Sequence, residues 1–139
     1  MELETKDKIR IQFPSHPRYV SVARDLVFKM CRMHGFSTRG AFDMKIVCGE
    51  AVSNIIRHAY DGKTDQPIFL EILLYPDFLE IRFKDMGKQL PINPGESKDL
   101  SDYRERGLGL FLISNLSDYH YFEQSQEIGT LLVVKKKIC

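Results

Sequence analysis

The chain has 139 residues, and its 20 Lys and Arg against 19 Asp and Glu give a formal net charge of +1. This length is typical of one domain with its own core, so we expect a single domain over residues 1–139. With 43% hydrophobic and 28% charged residues the chain is neither disordered nor fibrous, and its near-zero charge gives no long-range attraction for nucleic acid or anionic membranes.

The first ten residues, MELETKDKIR, are charged from the second position onward, which excludes the apolar stretch of a secretory signal peptide. No apolar run approaches the roughly 18–20 residues that cross a bilayer. Three cysteines, Cys31, Cys48 and Cys139, follow no metal-binding spacing, so we expect reduced thiols. These features predict a cytoplasmic protein.

A strand and a helix are predicted first. Polar and apolar residues alternate over 8–13, which is typical of a half-buried strand. Residues 15–17, Ser-His-Pro, then provide a capping residue and an early-helix proline. Apolar residues at helical spacing predict a helix over 18–34, with Gly35 as its stop.

A second helix and a β-hairpin follow. A broad apolar stripe predicts a helix over 40–60, ended by Asp61-Gly62. Two β-rich runs, 67–75 and 78–83, are separated by Pro76-Asp77, which predicts an antiparallel hairpin. Apolar and charged residues alternate in the second run, so we expect only one of its faces to be buried.

The last part of the chain begins with an irregular stretch over 86–106, rich in Pro, Gly, Ser and charges. A loop of this length is usually functional or disordered. Helical spacing returns over 107–117, and strand-like runs follow over 118–123 and 129–137. The order predicts an α+β fold: a two-layer α/β sandwich with helices packed on one face of a mixed, mostly antiparallel sheet.

Three polar residues of the second predicted helix share one strip of its surface. Glu50, Asn54 and His58 are four residues apart, so each step rotates the side chain by only about 40°. A carboxylate can act as a general base or orient a water molecule, and an amide oxygen is a hard ligand suited to Mg²⁺. A solvated helix face is the alternative that spacing leaves open.

Two further motifs are weak when taken singly. Asp85-Met86-Gly87 follows a predicted strand, where a carboxylate could accept a hydrogen bond from a ligand amine while the glycine lets backbone approach the ligand. The same residue types also form ordinary turns. Gly129-Thr130 opens the last predicted strand.

A glycine-rich run, Gly107, Leu108, Gly109 and Leu110, opens the third predicted helix. Free backbone N–H groups at a helix start favour an anion such as phosphate. The run lacks the third glycine of a dinucleotide fingerprint and the Gly-Lys-Ser/Thr of a P-loop. A glycine-softened helix start is the alternative.

All four motifs in this order resemble the ATP-binding fold shared by DNA gyrase, mismatch-repair proteins and sensor histidine kinases. The resemblance rests on 50–60 (EAVSNIIRHAY), Asp85-x-Gly87, 106–113 (RGLGLFLI) and Gly129-Thr130, and it spans essentially the whole chain. Within that superfamily the chain is most similar to small bacterial anti-sigma factors that are serine/threonine protein kinases.

The resemblance implies a role for each matching residue. Glu50 is the general base or orienting carboxylate for the attacking hydroxyl, and Asn54 binds the Mg²⁺ that bridges the ATP phosphates. Asp85 accepts from the adenine amino group, Gly87 lets backbone approach the base, and Thr130 joins the adenine hydrogen-bond network.

The resemblance also implies a phosphate-binding part and a lid. Gly107 and Gly109 place backbone N–H groups on the phosphates, and 86–106 forms the lid over ATP. The motif has no lysine, so Arg104 or Arg106 would neutralise phosphate charge beside Mg²⁺. The remaining residues implied in nucleotide binding are His58, Arg106, Leu108 and Leu110.

The implied function is an ATP- and Mg²⁺-dependent serine/threonine kinase that sequesters a sigma factor and phosphorylates an anti-sigma-factor antagonist. The resemblance further implies a homodimer and a partner surface on the first helix around Arg24. One departure favours an alternative: Gln89 stands where the family usually has a glycine or small residue. The alternative is a nucleotide-gated binding module with little or no kinase activity; a detached sensor-kinase domain fits less well, because the chain has no room for a phosphoaccepting hairpin.

Overall fold

A computed structural model describes residues 7–89, 100–125 and 127–139 of the chain, without the side chains of 100–106. The strands are β1 (Asp7–Pro14), β2 (Pro67–Leu74), β3 (Phe78–Asp85), β4 (Tyr119–Glu123) and β5 (Thr130–Lys137). The helices are α1 (Val20–Met33), α2 (Thr38–Asn54) and α3 (Leu100–Leu116). No described helix is long and apolar enough to span a membrane.

The strands form one sheet in the order β1-β2-β3-β5-β4, and every described pairing is antiparallel. The helices pack on one face of this sheet, which confirms the predicted α+β sandwich. β5 lies beside β3, although α3 and β4 separate the two strands in the chain. Asp85 at the end of β3 therefore stands opposite Thr130 at the start of β5.

The core lies between the helices and the sheet. Ile9, Ile72, Ile81 and Val134 stand side by side across four strands and face the helices. Successive side chains of a strand point to opposite faces, so the register of one row fixes which face every other row presents. Burial of this continuous apolar face is the main favourable contribution to folding.

The opposite face of the sheet is charged, and one of its residues corrects a prediction. Glu80 is only 4% exposed, although its position in β3 predicted a solvent-facing side chain. Arg82 Nε lies 2.6 Å and Lys135 Nζ 3.7 Å from its carboxylate oxygens. The long cationic side chains cover the carboxylate while they neutralise it, which explains a buried charge on the open face.

The segment before α1 folds differently from the simplest capping prediction. Residues Pro17–Tyr19 form a 3₁₀ turn, and the Arg18 N–H donates to His16 Nδ1 at 3.1 Å. Ser15 is fully buried: its hydroxyl donates to the Lys63 carbonyl at 2.5 Å and accepts from the Gln66 N–H at 3.1 Å. Ser15 therefore ties the end of β1 to the loop before β2.

The helix predicted over 40–60 changes its geometry part-way. α2 is α-helical to Asn54, and Ile55–Ala59 form a π-helical turn. The Tyr60 N–H donates to the Ile55 carbonyl five residues earlier, at 2.9 Å. Because π turns hold more residues per turn than an α-helix, His58 does not continue the strip of Glu50 and Asn54. Such turns occur frequently at functional sites.

The third helix begins earlier than the sequence predicted. α3 starts at Leu100, so the prediction that Gly107 opens the helix is wrong. Residues 100–106 (LSDYRER) contain no Pro or Gly and are rich in residues that a helix accepts, whereas Pro94 and Gly95 lie upstream. Of the lid predicted over 86–106, residues 90–99 lie outside the described part of the chain.

The three cysteines are free thiols, as predicted. Cys31 and Cys48 are buried in the core, and burial raises the pKa of both to about 12. Cys139 is exposed at the chain end.

Candidate functional site

A mostly apolar cleft opens between α2, its π turn, α3 and the ends of β3, β4 and β5. Its unfilled volume is about 500 Å³, counted with the solvent-open mouth. A cleft with mainly apolar walls and a few converging polar groups is typical of a small-molecule site. It is lined by Ala51, Asn54, Ile55, Ala59, Phe83, Asp85, Ile113, Phe122, Gln124, Thr130 and Leu132.

Asp85 is the buried charge of the cleft. It is 3% exposed, and its Oδ1 accepts the Gly87 N–H at 2.9 Å. Burial raises the pKa of Asp85 to about 6, while hydrogen bonds from the backbone N–H groups of Gly87 and Thr130 lower it. At neutral pH the carboxylate is mainly ionised, so it can only accept hydrogen bonds from a ligand.

Two glycines let backbone close around Asp85. A Cβ on Gly87 would lie less than 3.0 Å from the Ala59 carbonyl, and one on Gly129 would lie equally close to the Asp85 carbonyl. Gly129 also has φ +81°, and its N–H donates to the Gly87 carbonyl at 2.8 Å. The backbone that approaches Gly87 is thus the end of the π turn.

Tyr60 connects the π turn to this region, and the sequence reasoning assigned it no role. The tyrosine is 5% exposed; its hydroxyl donates to the Pro67 carbonyl at 2.5 Å and accepts the Met86 N–H at 2.7 Å. Its ring lies beside Gly87. Because Met86 follows Asp85 directly, Tyr60 fixes the position of the buried carboxylate relative to α2.

Two glutamines form hydrogen bonds at or close to Thr130, at the mouth of the cleft. Gln124 Nε2 donates to Thr130 Oγ1 at 3.0 Å. Gln89 is exposed, and its Nε2 donates to the Gly129 carbonyl at 3.1 Å and to the Gln124 carbonyl at 3.4 Å. Gln124 lies in the β4–β5 loop outside any motif, so no sequence signal singled it out.

Glu50 and Asn54 lie one turn apart on α2, and both are half-buried. Asn54 lines the cleft, whereas Glu50 lies against α3. A Cβ on Gly109 would be 3.0 Å from Glu50 Oε2, so this glycine gives the carboxylate its space. His58, on the π turn, is half-buried and does not belong to the described residues that line the cleft.

The glycine-rich run does not present a helix start. Gly107 and Gly109 lie seven and nine residues after the first residue of α3, where backbone N–H groups bond to carbonyls of the preceding turn. Leu108 is 63% exposed, and Leu110 packs against the core. The side chains of Arg104 and Arg106 lie outside the described residues.

Few of the described side chains could bind a metal ion. No group of three or more His, Cys, Asp or Glu side chains among the described residues could hold a metal ion by itself. Mg²⁺ commonly takes one or two protein oxygens and completes its shell with water and substrate phosphates. The Asn54 amide oxygen at the cleft wall fits such a site.

The chain matches the model of the histidine kinase-like ATPase domain over residues 13–136. It is 36% identical to the serine-protein kinase RsbW of Listeria monocytogenes serotype 4a over 143 residues, covering 95% of this chain and 91% of that protein. The RsbW of Oceanobacillus iheyensis is 30% identical over 142 residues, covering 95% and 87%. The histidine kinase domain of the blue-light activated kinase EL346 from Erythrobacter litoralis has the same fold, with a TM-score of 0.54 and 15% identity over 98% of this chain and 69% of that one.

The raised pKa of Asp85 generates a prediction about adenine binding. Because only the ionised carboxylate accepts without also donating, we expect ADP affinity to rise with pH through about 6. Asp85→Asn should weaken ADP binding about tenfold at pH 7.5, since a neutral acceptor replaces a charged one. Calorimetry from pH 5 to 8 measures both effects.

The phosphates of ADP also titrate near pH 6, but they do so equally with both proteins. The ratio of the wild-type to the Asp85→Asn affinity isolates the contribution of the carboxyl group. We expect this ratio to fall toward one as the pH is lowered from 8 to 5; a ratio independent of pH would contradict the assignment.

Proposed function

The chain belongs to the histidine kinase-like ATPase domain family and, within it, to the RsbW-type serine-protein kinases, and we propose that it acts as an anti-sigma factor. In this proposal it phosphorylates an anti-sigma-factor antagonist on serine or threonine and sequesters a sigma factor. The observation that carries the proposal is the buried Asp85 in an apolar cleft, with Asn54 in the cleft wall and Glu50 one turn away.

The cleft supports adenine as the bound base. Asp85 accepts a hydrogen bond from the exocyclic amine, and Thr130, opposite it on β5, completes the polar edge. The apolar walls formed by Ile55, Ile113 and Leu132 cover the faces of the ring. In this proposal the phosphates extend toward α2 and α3.

Asn54 is the residue that we propose as the Mg²⁺ ligand; when bound, the ion neutralises phosphate charge. Glu50 orients the hydroxyl of the substrate serine or threonine and takes its proton. Protein kinases act mainly by positioning and charge stabilisation, so one carboxylate beside the phosphates suffices as base. We propose that 1–139 form one ATP-binding domain, located in the cytoplasm.

Gln89 is the residue that favours the alternative function, a nucleotide-gated binding module with little or no kinase activity. Its side chain is exposed and donates to two loop carbonyls, and it does not belong to the residues that line the cleft. A bulky residue at this position therefore leaves the cleft open. We retain the kinase as the better supported function.

The position of the glycine-rich run generates a prediction about α3. In the described helix the N–H groups of Gly107 and Gly109 are directed along the helix axis. For these groups to reach the phosphates, the first two turns of α3 must unwind. We therefore expect Mg-ATP to increase amide hydrogen exchange in 100–106 and to protect 107–110. Unchanged exchange in both segments, with saturating nucleotide, would exclude this role for the glycines.

The role of Glu50 is tested by Glu50→Gln, which keeps the shape of the side chain and removes the base. We expect phosphate transfer from ATP to fall at least about 100-fold while ADP affinity changes less than about threefold. Single-turnover transfer to a purified antagonist protein measures the first effect, and calorimetry measures the second.

Asp43→Asn is the matched control, because it removes a carboxylate from the same helix outside the cleft. Undiminished transfer by Glu50→Gln would rule out the proposed base. If the wild type binds ADP and the antagonist but yields no phosphoserine or phosphothreonine, the binding-module alternative is correct.

Arg24 is the residue that we propose on the partner surface. Its side chain crosses α2 at Gly49, where a Cβ would lie 3.1 Å from Arg24 Cδ. Within the described residues its buried Nε has no hydrogen-bond partner. Because this Nε is buried, an acidic group of a partner would pair with the outer nitrogens of the guanidinium, and charge-assisted bonds of this kind are strong.

Arg24→Glu should therefore weaken binding of the antagonist or sigma factor at least about tenfold and leave ADP affinity unchanged. Lys29→Glu makes the same charge change at an exposed position of α1 and is the control. Equal losses in both variants would show a general charge effect instead. The homodimer that we propose is a separate point, and the mass of the complex measured by light scattering tests it.

A further inference from the structure

Gln124 controls the direction of one hydroxyl group in the cleft. A threonine hydroxyl has one proton to donate and two lone pairs that accept. Gln124 Nε2 donates to Thr130 Oγ1 at 3.0 Å, so this contact occupies a lone pair and leaves the proton free. Both residues line the cleft. The Thr130 hydroxyl is thereby oriented as a donor toward whatever occupies it.

The neighbouring carboxylate has the opposite hydrogen-bonding character. Asp85, opposite Thr130 in the sheet, is ionised at neutral pH and only accepts. The cleft thus presents an acceptor beside a donor. Adenine presents the complementary pair, an amine beside an accepting ring nitrogen, whereas guanine presents the O6 acceptor in place of the amine.

We propose that Gln124 is a positioning residue for adenine selectivity, acting through the Thr130 hydroxyl. The inference rests on the proposed adenine site and adds to it the residue that sets the direction of the second hydrogen bond. The ring nitrogen that accepts is N1 or N7, the two neighbours of the amine.

The loop that carries Gln124 is itself held in place. Gln89 Nε2 donates to the carbonyl groups of Gly129 and Gln124, which lie on the two sides of the β4–β5 loop. The Gln89 side chain therefore joins the end of the β3 segment to the loop. In the proposal, this contact helps to hold Gln124 beside Thr130.

Gln124→Glu tests the proposal, because a carboxylate accepts the Thr130 proton and turns the donor away from the cleft. We expect ADP affinity to fall about tenfold and GDP affinity to stay within about twofold, so selectivity falls. Gln124→Leu removes the orienting N–H without adding charge and should give a smaller loss of ADP affinity, about threefold. Ser125→Ala, at the exposed neighbouring residue, is the control.

Two comparisons separate positioning from a merely structural effect. In a Thr130→Val background, the uncharged Gln124→Leu should cause no further loss of ADP affinity, since no hydroxyl remains to orient. Calorimetry with 1-deaza-ADP and 7-deaza-ADP should show the loss disappear for the analogue without the accepting nitrogen. Additive losses, or equal losses with ADP and both analogues, would overturn the role of Gln124.

The outcomes also distinguish this inference from the proposed function. If wild-type protein binds no ADP, the adenine site itself is wrong and both proposals fail. If it binds ADP and transfers phosphate but the two substitutions are additive, only the positioning role fails.

Discussion

The burial of one carboxylate, Asp85, is the constraint on which the rest of the site depends. A charged group that is 3% exposed is unfavourable unless hydrogen bonds replace its lost water. The fold provides them from backbone N–H groups at the ends of β3 and β5, and these approach closely only because Gly87 and Gly129 lack side chains. Burial still raises its pKa to about 6, so these hydrogen bonds compensate only in part. In the proposed function, the exocyclic amine of adenine donates a further hydrogen bond to this carboxylate.

The same constraint explains the irregular end of α2. Tyr60 must reach both the Pro67 carbonyl and the Met86 N–H from inside the core. The π turn over Ile55–Ala59 adds a residue to the last turn of the helix, which changes the direction in which the chain leaves it. The Ala59 carbonyl then lies on Gly87 and accepts the Lys88 N–H. The helix end and the strand end are therefore packed as one unit.

Local patterns in the sequence predict most of the fold but only part of the site. Alternation in β1 and β3, the β-rich runs of β2 and β5, and the apolar stripes of α1 and α2 are local features of the chain, so sequence patterns find them. The π turn is set by Tyr60 contacts across the fold, and the pairing of Gln124 with Thr130 depends on the β4–β5 loop. Both are tertiary effects without a sequence period. The predicted start of α3 at Gly107 is wrong because glycines are typical of helix ends, whereas residues 100–106 before them are ones that a helix accepts.

The two ends of the cleft are formed by different kinds of structure and contact. The end that we propose for adenine is built on paired strands, buried groups and backbone contacts that have little freedom to change. The end that we propose for the phosphates depends on α3, whose glycines lie within the helix, and on Gly109, which leaves space for the Glu50 carboxylate. In the proposed function, a change in the phosphates therefore acts first on α3, because the base is held by the strands. The near-zero net charge gives no long-range attraction for DNA, so the proposal is that α3 transmits the state of the nucleotide to a protein partner.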